Sequence, residues 1–176
     1  MILISSCLAG LKVRYNGTDC LDERIQQLVL EKKAITVCPE VLGGLSTPRE
    51  PAEIIGGDGE AVLDGKARVL AKSGKDVTEQ FVKGAYLTLD KARELNATTV
   101  ILKERSPSCG SSMIYNGDFT GTKVAGVGVT TALLRRNNIN VISEDDFAKT
   151  VISATTGDTA DYKELTLNPI TIDLKK

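Results

Sequence analysis

The chain has 176 residues, 22 basic and 23 acidic side chains, a formal charge of -1 and no histidine. Its length suits one domain with a single substantial core, and its balanced charge excludes the broad basic footprint of a protein that binds long nucleic acid. Without imidazole the commonest general base and nitrogen ligand are missing, and any chemistry must rest on sulfur, carboxylate, hydroxyl and backbone groups.

In chain order, Met1 to Cys7 is apolar but carries no basic leader. It is too short for a signal peptide or a membrane span, which predicts a cytoplasmic protein with no membrane partner. Ile2 to Ser6 reads as the first strand, short and apolar like buried parallel strands. Asp22 caps a helix through Lys32 with Ile25, Leu28 and Val29 on one face, and Ala34 to Cys38 reads as the second strand. Gly43-Gly44, Pro48, Pro51 and Gly56-Gly57 then break any long element and predict a structured loop. Glu60 to Leu63 and Ala67 to Ala71 flank Asp64-Gly65, a hairpin signal. Asp76 and Glu79 have capping-box spacing ahead of a helix whose apolar face is Val77, Phe81, Ala85, Leu89, Ala92 and Leu95. Thr98 to Lys103 is the third parallel strand, and Glu104 to Gly126 is a loop rich in Gly and Ser. Val127 to Arg136 reads as a helix and Asn140 to Ile142 as the fourth strand. Beyond Asp146 the pattern weakens: Val151 to Asp161 reads as loop, and Leu167 to Leu174 as an edge strand or flexible tail.

Strand and helix signals that alternate in this way predict an α/β fold: a single domain with a short parallel Rossmann-like sheet, flanking helices and an inserted β-hairpin. The domain is expected over residues 1–146, with 147–176 as a C-terminal extension. Of the four cysteines, Cys7, Cys38 and Cys109 lie at or beyond strand ends, where open α/β sheets bind ligands. In a chain of this size they are expected as reduced thiols. Cys20 has no such setting and reads as a bystander.

Three thiolates without histidine can bind zinc, copper or an iron–sulfur cluster. Structural zinc sites usually show close pairs such as C-x2-C, which this chain lacks. A cubane cluster usually takes four cysteines; with three, one iron stays open to a substrate atom, and iron among sulfur ligands favours sulfur. Pro39 stiffens the link between Cys38 and Glu40, so Glu40 can act as general base or proton donor beside the metal. Ser106 and Ser108 flank Pro107 ahead of Cys109, and at least one of their hydroxyls is expected in the same cavity. Gly110 and Ser111 can offer backbone N–H groups to cluster sulfurs. Arg49 and Arg105 can receive a substrate oxygen or phosphate, with Arg14, Tyr15 and Asn16 in the pocket wall. Gly126 and Gly128 give only a G-x-G, without the full dinucleotide fingerprint, which leaves ATP or NAD unsupported.

Ser5-Ser6-Cys7-Leu8-Ala9-Gly10 with Arg14-Tyr15-Asn16-Gly17, Cys38-Pro39-Glu40-Val41 with Gly43 to Arg49, and Arg105-Ser106-Pro107-Ser108-Cys109-Gly110 together resemble the signature blocks of the TudS-type thiouracil desulfidase family, formerly a domain of unknown function. The resemblance covers Met1 to Asp146. It implies a [4Fe-4S] cluster on Cys7, Cys38 and Cys109, with the fourth iron free for a thiocarbonyl sulfur. It implies hydrolytic removal of sulfur from 2-thiouracil-like bases or nucleosides without net redox change, and it favours Ser106 as the serine beside Glu40. The rival reading is a non-catalytic metal or iron–sulfur sensing module on the same cysteines; a nucleotide-binding module without metal is a third.

Overall fold

β1 (Ile2–Ser5) is buried along its whole length and turns directly into a 3-10 turn over Ser6–Ala9. α1 (Glu23–Leu30) begins where Asp22 accepts from the Arg24 N–H, as its spacing predicts. β2 (Ala34–Val37) runs into the short α2 (Pro39–Leu42), whose proline stands in the first turn, where a missing N–H costs nothing. Then follow β3 (Ala52–Ile55), α3 (Gly59–Leu63), β4 (Arg68–Ala71) and the long α4 (Thr78–Glu94). β5 (Thr99–Leu102), β6 (Met113–Tyr115), β7 (Lys123–Ala125), α5 (Val129–Arg136), β8 (Asn140–Ser143) and α6 (Glu144–Thr156) complete the chain order. This structure, a computed structural model, describes residues 1–156; the strand or tail expected over Leu167–Leu174 lies outside the described residues. No helix among them is long and apolar enough to cross a membrane.

The central sheet has four parallel strands in the order β2-β1-β5-β8, with Leu3 opposite Ile35 on one side and Val100 on the other. Successive side chains of a strand point to opposite faces, and the two cores follow that alternation. Leu3, Val100 and Leu102 pack with Phe81, Leu89 and Leu134 of α4 and α5, while Ile2, Ile4 and Ile101 pack with Ile25 and Leu28 of α1 and with Phe147 of α6. The order reverses at β1: the chain adds β2 on one flank and β5 on the other. The crevice beyond the carboxyl ends of β1 and β5 is therefore a topological switch point.

The expected hairpin exists with different strands. β4 pairs antiparallel with β3, not with residues 60–63, because the Asp58 carboxylate accepts from the Glu60 and Ala61 N–H groups and winds that run into α3. The loop over 104–126 holds a second antiparallel pair, β6 with β7. α5 starts at Val129 rather than Val127. Of the loop expected over Val151 to Asp161, the part through Thr156 is helix and 157–161 lie outside the described residues: the Ser143 hydroxyl accepts from the Asp146 N–H while its proton goes to the Asp146 carboxylate, a reciprocal cap.

α2 carries Glu40 and is seated on α4 by two glycines. A Cβ on Gly84 would lie 2.0 Å from the Pro39 carbonyl oxygen, and one on Gly43 the same distance from that of Gln80. Gly84→Ala must therefore push α2 outward. We expect a loss of about 1–3 kcal/mol in a denaturant titration together with reduced activity; an unchanged midpoint would show that the helices yield freely.

Candidate active site

A cavity of about 510 Å³ opens at the switch point and is lined by Cys7, Cys38 and Cys109 together. Cys7 sits in the 3-10 turn after β1, Cys38 between β2 and α2, and Cys109 in the loop after β5. All are free thiols; Cys7 and Cys109 are buried and Cys38 is half-buried. Burial pushes the Cys7 thiol up to about 12, helped by Cys20 and Cys38, with Lys103 and Arg14 opposing. Burial likewise raises Cys38 and lifts Cys109 well above its ordinary value, where Glu40, Cys38 and Cys7 add to the effect. Cys20, the expected bystander, also lines the cavity, and its N–H donates to the Cys7 carbonyl at 2.9 Å.

The Cys109 loop is held by the start of α5. The first N–H groups of a helix have no partner within it; here Val129 donates to the Pro107 carbonyl, Thr130 to that of Ser108, and the preceding Gly128 to that of Gly110. Gly128 permits this because a Cβ would stand 2.4 Å from the Ser108 carbonyl. The G-x-G before α5 thus serves loop packing, and those N–H groups are not open to a phosphate. The Gly110 N–H goes to the Ser106 carbonyl and the Ser111 N–H to Glu104, so neither is available to a sulfur. The Ser5 hydroxyl instead donates to Cys109 Sγ at 3.8 Å.

Ser106 and Ser108 part company. Ser108 Oγ is buried against Thr130 Oγ1 at 2.8 Å and does not line the cavity. Ser106 Oγ accepts from the N–H groups of Ser108 and Cys109 at 3.1 and 3.2 Å. With both acceptor sites filled, its proton is directed outward, to Glu40 Oε1 at 3.4 Å. The other carboxylate oxygen, Oε2, accepts from Arg49 Nε at 2.8 Å and Nη2 at 2.5 Å. Arg49 Nη1 serves the carbonyls of Val13 and Ser46 and the Thr47 hydroxyl. Nearly every donor of Arg49 is engaged, which makes it the group that orients Glu40 and leaves little for the substrate contact the sequence suggests. Arg105 is half-exposed, lines the cavity and reaches Asp145 at 3.4 Å. Tyr15 lines the rim, with the Arg14 guanidinium 5.9 Å from its ring centre.

Glu104 escapes sequence reading. It is buried, and its two oxygens accept from the N–H groups of Ser111, Ser112 and Met113 and the hydroxyls of Ser111 and Ser112. Burial alone would raise its pKa, but the Ser111 hydroxyl and the three N–H groups together bring it down from 4.5 to about 2. A carboxylate whose folded pKa is depressed stabilises the fold fully above the unfolded value and loses that contribution as pH falls toward the folded one. The wild type is therefore expected to lose thermal stability between pH 4.5 and about 2, and Glu104→Gln to flatten that dependence while lowering the midpoint at pH 7.

An open parallel sheet with three thiols and a doubly held carboxylate at its carboxyl edge defines an α/β protein with a thiol-lined reaction cavity. The 2-thiouracil desulfurase family matches residues 2–146, and the chain belongs to that family. It is similar to the uncharacterized protein YbbK of Bacillus subtilis (strain 168), 60% identical over 146 residues that span 83% of this chain and 97% of that protein. It is also similar to a solved structure of a [4Fe-4S]-dependent thiouracil desulfidase, TudS, at 43% identity and a TM-score of 0.74, over 88% of this chain and 97% of that one.

Proposed function

We propose that the protein is a [4Fe-4S]-dependent desulfidase that hydrolyses the thiocarbonyl of 2-thiouracil-like pyrimidines to the oxo compound and sulfide. The observation that carries this reading is the meeting of three thiols with the Ser106–Glu40–Arg49 chain in one cavity. The donor set fits the cluster. It is sulfur alone, desolvated and mutually repelling, and buried thiolates need a large positive charge beside them. A cluster takes each thiolate on a different iron, which suits three thiols brought to one cavity from three separate segments. Cys7, Cys38 and Cys109 would hold it. When bound, it supplies a Lewis-acidic iron without a cysteine ligand, with affinity for sulfur.

Everything else falls to the protein. Glu40 lines the cavity, and its Oε1 takes a proton from the attacking water, then returns it to the departing sulfur. Arg49 fixes Oε2 so that only Oε1 turns over protons, and the Ser106 hydroxyl steadies Oε1 while tying it to the Cys109 loop. Tyr15 and Arg105 at the rim contact the base. The atoms balance as thiocarbonyl plus water giving carbonyl plus hydrogen sulfide, with no oxidant or reductant. A sensor holding the same cluster has no use for the carboxylate chain. The test is anaerobic incubation of the holoenzyme with 2-thiouracil, without electron donor or acceptor. Uracil and sulfide in equal amounts are expected; turnover that requires a redox partner overturns the hydrolytic reading.

A further inference from the structure

Glu53 stands on β3, is only 7 % exposed and lines the cavity. Its Oε2 accepts from the Gly117 N–H at 2.9 Å and the Phe119 N–H at 3.1 Å, tying the turn between β6 and β7 to β3. Gly117 suits that approach, with φ at +92° and space so tight that a Cβ would lie 2.7 Å from the Ile54 carbonyl oxygen. Oε1 has no protein donor among the described residues. Yet no buried side-chain nitrogen or oxygen among them is without a partner, so Oε1 is not sealed off, and the cavity is the open space that Glu53 lines. An amide in this place could clamp the turn through its carbonyl without the cost of a buried charge. A carboxylate keeps a second, strong acceptor directed at whatever enters. Tyr15 and Tyr115 line the same cavity with flat aromatic surface suited to a planar ring.

Resting on the desulfidase reading, we propose that Glu53 is a substrate-binding residue whose Oε1 accepts a hydrogen bond from a ring N–H of the thiopyrimidine. The ligand class is a planar heterocycle that donates as well as accepts. A site built around such a bond discriminates steeply against analogues that lack the donor.

Calorimetry of uracil binding to the holoenzyme reads this contact without turnover. Glu53→Gln keeps a carbonyl for the Gly117 and Phe119 N–H groups but turns an N–H₂ toward the ligand. It should weaken uracil by about 10- to 100-fold while the visible spectrum of the cluster is retained. Equal affinity in variant and wild type, or no binding by either, overturns the proposal. For the case that the variant does not fold, wild-type holoenzyme is titrated with 1-methyluracil and 3-methyluracil. At least one must bind about tenfold or more weaker than uracil; equal binding of all three removes the N–H contact. Turnover of 2-thiouracil by the wild type is assayed apart, so a failed activity and a failed contact are told from one another. Loss by Glu53→Gln on 2-thiouridine alone, with free bases unaffected, would move the contact to sugar hydroxyls and overturn the ring assignment.

Discussion

Glu40→Gln is expected to lower kcat by about 100- to 10,000-fold, the range for losing a positioned general base, while the iron content and visible spectrum stay as in the wild type. The substitution is nearly isosteric. Its amide oxygen can still accept from Arg49 Nε and Nη2, which hold Glu40 Oε2 at 2.8 and 2.5 Å. What disappears is the proton acceptor at Oε1, beside the Ser106 hydroxyl. Steady-state kinetics on 2-thiouracil decide the point. Retained turnover would take Glu40 out of proton transfer, and a lost spectrum would mean that it supports the metal site instead.

The second large effect is expected at the thiols. Cys109→Ala should yield a folded protein without chromophore and without activity, because it removes the buried sulfur of one of the three proposed ligands and a methyl group fills little of its place. Cys20→Ala is the control. Cys20 lines the same cavity, and it contacts Cys7 through its backbone N–H, which alanine keeps. The expected result is iron and turnover close to the wild type. A colourless Cys20→Ala protein would reassign the ligand set.

How far these residues could be read from the sequence depends on the range of the interaction. The cysteine positions were legible because short apolar strands in an α/β alternation place their ends at one sheet edge, and Cys7, Cys38 and Cys109 all follow such runs. The two serines were not separable, since a turn closed by the start of α5 decides that Ser106 faces the cavity and Ser108 faces Thr130. Arg49 read as a substrate-binding cation because nothing local shows that a helix nine residues upstream carries its carboxylate partner. Local signals also competed: the alternation over residues 60–63 suggested a strand, while the Asp58 cap just before it made a helix. Glu53 and Glu104 look like ordinary surface acids in the sequence. Only the chain returning through Gly117 and through Ser111 to Met113 buries them.

The account turns on three thiols sharing one inorganic core, and one measurement reaches it directly. Iron and acid-labile sulfide are determined per chain in anaerobically prepared protein, for the wild type and for Cys7→Ala, Cys38→Ala and Cys109→Ala. A core of the [4Fe-4S] kind, as in the similar desulfidase, predicts four of each in the wild type and little in any of the three variants. A wild type holding a single zinc ion and no labile sulfide, or a variant that keeps its full cluster, would contradict it.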